Sequence, residues 1–89
     1  MSRISDKNIE KIKNEILYLL YESKLNGLFT KKIADELARD DEFVLRLLNG
    51  LEKDRIVKTV NPHLKSNFIR RKKWVMTEEA YKKYKELNT

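Results

Sequence analysis

The first third of the chain carries apolar residues at the spacing of an amphipathic helix. They are Ile9, Ile12, Ile16, Leu19 and Leu20. Ser5 is a suitable N-cap residue, and Asn26-Gly27 is a typical stop signal. The pattern therefore predicts a helix over about 6–25.

Two further helices follow, separated by a tight turn. Leu28-Phe29 is a short extended piece, and Thr30 is a suitable cap for a helix that ends near Arg39. Asp40 is a suitable cap for the next helix. The predicted buried faces are Ile33, Ala34 and Leu37 in the first and Val44, Leu47, Leu48 and Leu51 in the second. Gly50 inside a helix costs about 1 kcal/mol relative to Ala, so we expect a close packing contact there.

The last third of the chain predicts a hairpin and a final helix. β-Branched residues over 55–60 indicate a strand, and 61–68, which begins with Asn-Pro, indicates a loop. The returning strand covers about 69–76. A helix then begins at Thr77-Glu78-Glu79, and its apolar side comprises Ala80, Tyr81, Tyr84 and Leu87.

The residue inventory argues against catalysis. The 89 residues suffice for one domain and include no cysteine, which excludes disulfides, thiolate zinc sites and a thiol nucleophile. The single histidine, His63, has no second His or Cys to share a metal, so we interpret it as a surface residue. The sequence also has no Gly-rich phosphate loop. It predicts neither an enzyme nor a bound metal, cofactor or small-molecule ligand.

Positive charge is concentrated in one segment. The net charge is +6, and residues 61–73 hold five basic residues and no acidic one. Because the field near such a patch attracts polyanions, this segment favours contact with nucleic acid over a merely solvated charged loop. With no visible signal peptide or transmembrane span, we expect a cytoplasmic, nucleoid-associated protein without a membrane partner.

The stretch from Thr30 to Val57 resembles the winged helix-turn-helix family of DNA-binding proteins. Ile33-Ala34 and Leu37 match the buried face of that family's second helix, and Asp40 matches the polar cap before its recognition helix. The buried side of the recognition helix is matched by Val44, Leu48 and Leu51. Residues 74–80 resemble the junction of strand and last helix in small MarR- and PadR-like regulators. The small size is similar in style to regulators of archaea and their viruses.

This resemblance implies the fold of the whole chain. The expected class is α+β, in the order helix-strand-helix-helix-strand-wing-strand-helix, within a single winged-helix domain over 1–89. The helix-turn-helix covers about 30–53, the wing about 55–76 and the last helix about 78–88.

The resemblance also implies a double-stranded DNA interface. The recognition helix would read the major groove, and its candidate contacts are Glu42, Leu45, Arg46, Asn49 and Lys53. Arg pairs with guanine and Asn with adenine. The wing and its flanks would contact phosphates or the minor groove through Lys31, Lys32, Lys65, Ser66, Asn67, Arg70, Arg71, Lys72 and Lys73.

The start of the recognition helix departs from the family pattern. Asp40, Asp41 and Glu42 suit the positive end of the helix dipole but suit DNA phosphates poorly. A carboxylate can accept a hydrogen bond from cytosine N4, so base reading by this end remains open.

The aromatic residues allow several roles. Trp74 is interpreted as a core residue in preference to a base-stacking platform. Phe68, near the loop tip, is a candidate for stacking, for a subunit contact or for folding back onto Ile69. The two outer helices carry more apolar surface than one small core needs, which favours a homodimer. Its candidate interface is Tyr18, Tyr21, Leu25, Tyr81 and Tyr84.

Three functions therefore compete. The favoured function is a homodimeric DNA-binding transcriptional regulator. A protein-interaction or assembly module would account for the acidic start of the third helix and for Phe43 and Leu45 beside it. A nonspecific architectural DNA binder would use the wing, Lys31 and Lys32 without base reading.

Overall fold

The computed structural model describes residues 6–60 and 72–87. Within them the helices are α1 (Asp6–Ser23), α2 (Thr30–Leu37), α3 (Asp41–Lys53) and α4 (Glu78–Leu87). The strands are β1 (Leu28–Phe29), β2 (Val57–Thr59) and β3 (Lys73–Met76), and a 3-10 turn spans Lys24–Asn26. The predicted α+β class and element order are confirmed. The predictions for Ser5, for the loop 61–68 and for strand residues 69–71 lie outside the described residues.

One apolar core joins the helices to the sheet because each element turns one stripe inward. The predicted stripes of α1, α2 and α3 all contribute, although Ile9, Leu19 and Leu37 are only partly buried. The fully or nearly fully buried members are Ile12, Ile16, Leu20, Ile33, Ala34, Val44, Leu47, Leu48, Leu51, Val57, Trp74 and Met76. The core therefore draws on residues from almost the whole length of the chain.

Strand β3 is the centre of the sheet, with β1 and β2 antiparallel on either side. Leu28 and Thr59 both lie opposite Trp74. Since side chains alternate between the faces of a strand, Trp74 points into the core while Val75 points to the other face. Val75 is nevertheless buried, and Gly27 lies against it.

The helix ends differ from the sequence predictions by a few residues. The first α-helix ends at Ser23, and the chain continues as the 3-10 turn rather than as α-helix to residue 25. The second helix ends at Leu37 instead of Arg39, because Ala38 adopts a left-handed conformation with φ 54°. The N–H of Ala38 donates to the carbonyls of Ala34 and Asp35, which closes the helix.

The strand β2 is shorter than the predicted 55–60. Arg55 has a left-handed φ of 61°, which is incompatible with an extended strand. The paired residues are Val57–Thr59. Thr77 lies beyond β3, and its hydroxyl oxygen accepts from the N–H of Ala80, as expected for the start of α4.

Helix α4 lies against α1 through a tyrosine cluster. The ring centroid of Tyr21 lies 5.1 Å from that of Tyr81 and 4.8 Å from that of Tyr84. Burial, together with the nearby Tyr21 and Glu22, raises the pKa of the Tyr84 hydroxyl above its ordinary value of 10.0. The folded protein therefore favours the neutral hydroxyl.

The two glycines have opposite environments. At Gly27, φ is +75°, and a Cβ would lie 2.8 Å from the Trp74 carbonyl oxygen and 2.9 Å from Val75 Cγ1. This position requires glycine. The prediction of a close packing contact at Gly50 is wrong, because a Cβ there would have no neighbour within 4 Å.

The Gly50→Ala variant should be more stable than the wild type by about 1 kcal/mol. Alanine restricts the unfolded chain and favours helix, and the space beside Gly50 is open. Urea unfolding followed by circular dichroism measures the change. Gly27→Ala is the matched control and should lower stability, because the same added methyl group meets backbone and side-chain atoms there. Equal effects at the two sites would contradict this assignment.

Alkaline pH should destabilise the fold partly through Tyr84. A raised pKa in the folded state gives a stabilisation that is complete below the unfolded pKa of about 10 and is lost as the pH rises through the folded value. Urea unfolding at pH 9 and at pH 11 should therefore show a smaller loss of stability in Tyr84→Phe than in the wild type. Parallel pH profiles for the two proteins would exclude this role of the Tyr84 hydroxyl.

Candidate DNA interface

The exposed side of α3 carries a single polar stripe. Glu42, Arg46, Asn49 and Lys53 are all exposed, and their spacing places them on one face of the helix. The opposite face is buried in the core. This stripe contains four of the five candidate recognition residues. The fifth, Leu45, is half-buried and packs against the core, so less of its surface is available to a ligand.

The acids at the start of α3 have a structural role. The Asp40 carboxylate accepts hydrogen bonds from the backbone N–H groups of Glu42, at 3.2 Å, and Phe43, at 3.4 Å. The predicted cap is thereby confirmed. Asp41 and Glu42 follow in the first turn, where negative charge complements the helix dipole. Helix formation alone therefore accounts for much of this acidity.

The two lysines at the start of α2 are exposed and paired along the helix. Lys31 Nζ lies 3.2 Å from an Asp35 carboxylate oxygen, and Lys32 Nζ lies 2.9 Å from Glu36. The hydrogen bond to Glu36 raises the pKa of Lys32. Ion pairs between such exposed groups contribute little to stability, so a phosphate group can compete for either ammonium.

Thr30 does not act as the predicted cap of α2. It is the first residue of the helix, Phe29 occupies the N-cap position, and neither contributes a side-chain cap hydrogen bond. Thr30 is instead fully buried. Its hydroxyl oxygen accepts from Trp74 Nε1 at 2.9 Å, and its hydroxyl donates to the Lys72 carbonyl at 3.2 Å. A tertiary contact has displaced the local capping role that the sequence suggested.

Trp74 is a core residue, as the sequence favoured. It has no exposed surface, and its indole N–H is satisfied by Thr30. Stacking of Trp74 on a nucleic-acid base is therefore excluded in this conformation.

The last two residues of the basic run lie beside aromatic rings. Lys72 Nζ is 5.5 Å from the ring centroid of Trp74, and Lys73 Nζ is 5.3 Å from that of Phe29. These distances are within the range of cation–π attraction. Part of the positive charge at the start of β3 thus contributes to packing at the base of the wing.

The remaining wing candidates lie outside the described residues. They are Lys65, Ser66, Asn67, Arg70 and Arg71, together with His63 and Phe68. Their roles on the wing stay predictions from the sequence.

The candidate dimer residues fall into two groups. Within the chain, the ring of Tyr21 contacts those of Tyr81 and Tyr84, and all three residues are partly buried. Tyr18 is 53% exposed, whereas the side chain of Leu25 lies outside the described part of the structure. Leu87 was not among the predicted interface residues, yet it is 83% exposed. In the sequence, the only indication that Leu87 could belong to an interface was its apolar character near the end of an amphipathic helix.

Other classes of site find little support in the stretches 6–60 and 72–87. No group of three or more His, Cys, Asp or Glu side chains there is arranged to hold a metal ion. None of the helices in these stretches combines the length and hydropathy needed to cross a bilayer.

Comparison with known proteins identifies relatives by structure alone. The sequence matches no protein-family model and no curated protein. A substituted variant of Lactococcus lactis ZitR in its apo form is similar with a TM-score of 0.68 and 27% identity, over 92% of this chain and 58% of that chain.

Two structures of Staphylococcus aureus MepR, each 24% identical, are also similar and cover 93% of this chain. MepR itself is described as a transcription regulator of the multidrug efflux pump MepA, with a TM-score of 0.69 over 62% of its chain. The MepR–DNA complex gives a TM-score of 0.70 over 68% of the MepR chain.

The match covers most of this chain but only part of each relative, between 58% and 68% for these three structures. The polar stripe on α3, the three-stranded sheet and these comparisons together lead to one assignment: the chain has a winged helix-turn-helix fold similar to that of ZitR and MepR.

Proposed function

We propose that this protein is a DNA-binding transcription regulator. The observation that carries the proposal is the exposed stripe on α3, the second helix of a helix-turn-helix in a fold similar to that of MepR in its DNA complex. A helix in this position can enter the major groove with its exposed side chains toward the base edges.

Arg46 and Asn49 are the proposed base readers. Both are exposed and lie near the middle of α3. Arg can donate two hydrogen bonds to guanine, and Asn can make a bidentate pair with adenine. Glu42 can accept from cytosine N4, whereas Lys53 at the far end suits a phosphate.

Phosphate contacts are proposed on either side of this helix. The first turn of α2 carries Lys31 and Lys32, whose exposed ammonium groups favour an anion. The basic segment 61–73 supplies the second set through Lys65, Ser66, Asn67, Arg70, Arg71, Lys72 and Lys73. Such contacts give affinity and register with little sequence information.

A homodimer through α1 and α4 is part of the proposal. Tyr18 and Leu87 are apolar and exposed, and they continue the surface formed by the partly buried tyrosine cluster. A two-fold axis would place two recognition helices about 34 Å apart on one side of a pseudo-palindromic site. The protein would then be found at the nucleoid.

The alternative of a protein-interaction module has one observation in its favour. The first turn of α3 is acidic, with Asp41 and Glu42 next to the Asp40 cap, and phosphates repel such a surface. A nonspecific architectural role would instead leave Arg46 and Asn49 unused. DNA binding measured against salt and sequence separates these functions.

DNA affinity should fall steeply as salt rises and should depend on Arg46 for sequence preference. Fluorescence anisotropy with labelled duplexes, one of them from upstream of the protein's own gene, measures both properties. Arg46→Ala should lose about 1–3 kcal/mol of discrimination against other duplexes, because the guanine contact is removed. Lys82→Ala, an exposed cation on α4, is the control of equal charge.

Each outcome of this titration has one meaning. Equal affinity for all duplexes, unchanged in Arg46→Ala, would favour the architectural role. Absence of binding even at low salt would refute DNA binding and favour the protein-interaction module. Equal losses of DNA affinity in Arg46→Ala and Lys82→Ala would show that Arg46 contributes only its positive charge and reads no base.

The protein should sediment as a dimer that depends on Tyr18 and Leu87. Changing either residue to Lys places a charge in the proposed apolar interface without disturbing the core, because both side chains are largely exposed. Sedimentation velocity should show a shift toward monomer at micromolar concentration. Val60→Lys is the control, since Val60 is 48% exposed and lies at the end of β2. A monomeric wild type would refute the dimer.

A further inference from the structure

The junction of β1 and α2 binds the start of β3 through a compact set of contacts. The Thr30 backbone N–H donates to the Lys72 carbonyl at 2.9 Å, and the Thr30 hydroxyl donates to the same oxygen at 3.2 Å. Trp74 Nε1 donates to the Thr30 hydroxyl at 2.9 Å. We call this set, formed by Thr30, Lys72 and Trp74, the clasp. It joins residues separated by more than 40 positions in the sequence.

Packing alone does not account for threonine at this position. Valine has nearly the same shape and would fill the buried site, but it would leave the indole N–H of Trp74 without its partner. The hydroxyl also orients its neighbours, because it binds the indole N–H of Trp74 on one side and the carbonyl of Lys72 on the other. A buried hydroxyl is tolerated when both of its bonds are made, as they are here.

The clasp brings together basic residues from two distant parts of the chain. Lys31 and Lys32 follow Thr30 directly, and Lys72 and Lys73 lie at the bonded end of β3. These four lysines belong to the phosphate contacts proposed above for α2 and for the wing. Their relative position depends on how β3 is held against the first turn of α2.

We propose that Thr30 is a positioning residue for DNA binding, which holds the lysines of α2 and of β3 as one phosphate-binding surface. This inference rests on the proposed DNA-binding function. Thr30 touches no nucleic acid itself, because it is fully buried. It acts through Lys72 and Trp74, which connect the helix-turn-helix to the base of the wing.

The experiment compares Thr30→Val with Thr30→Ser. Anisotropy titrations at a series of salt concentrations give the affinity and the slope of log K against log salt, whose magnitude is about 0.9 per neutralised phosphate. We expect Thr30→Val to bind about ten-fold more weakly, with a slope that corresponds to about one or two fewer neutralised phosphates. Thr30→Ser keeps the hydroxyl and should stay within about two-fold of the wild type, with an unchanged slope. A smaller fraction of folded protein alone would lower the apparent affinity without changing this slope.

The indole signal reports on the clasp directly. The protein contains a single tryptophan, so its one indole N–H resonance belongs to Trp74. This proton should exchange more slowly in the wild type than in Thr30→Val, and more slowly still when duplex is bound. If Thr30→Val does not fold, Trp74→Phe replaces it, because that variant keeps an aromatic ring and loses the donor.

The results separate the two proposals. A wild type that binds no duplex at low salt refutes the DNA-binding function itself. A wild type that binds normally, together with a folded Thr30→Val or Trp74→Phe of unchanged affinity and salt slope, overturns the role of Thr30.

Discussion

The buried hydrogen bond between Trp74 and Thr30 is the contact on which the arrangement of this domain depends. The largest side chain of the core carries one polar atom, and a buried indole N–H without a partner would be costly. A single hydroxyl at the start of α2 satisfies it. Because Trp74 is also the central residue of the sheet, opposite both Leu28 and Thr59, this bond fixes the sheet against the helices.

The charge of the molecule is less available than its total suggests. Lys31 and Lys32 each have an acidic partner one turn along α2, and Lys72 and Lys73 each lie beside an aromatic ring. These contacts orient the lysine side chains. Because each contact is weak, it does not prevent the lysine from exchanging its partner for another. A polyanion would therefore find positive groups that are already ordered, which lowers the entropy cost of binding.

The sequence predicted the elements well and their tertiary contacts less well. Periodicity located the buried stripes of α1, α2 and α3, because burial and helical spacing leave a local signal. Residue type misassigned Thr30 as a helix cap. A threonine hydroxyl can serve either as a cap or as a buried bridge, and the partner that decides between them, Trp74, is 44 residues away. The sequence also predicted packing at Gly50, where the structure has open space. The exposed polar stripe on α3 followed from helical spacing. Leu45 is the exception, because it lies at the edge of the helix face, where spacing alone does not decide burial.

The central position of β3 has a consequence for how the chain reaches its folded state. The strand pairs with β1 near residue 28 and with β2 near residue 58, so neither of its neighbours has a sheet partner until β3 is present. During synthesis from the N-terminus, the helix-turn-helix segment leaves the ribosome well before residues 73–76. Its core lacks Trp74 until then. The complete domain therefore assembles late, and folding is governed by contacts between the early and late parts of the chain.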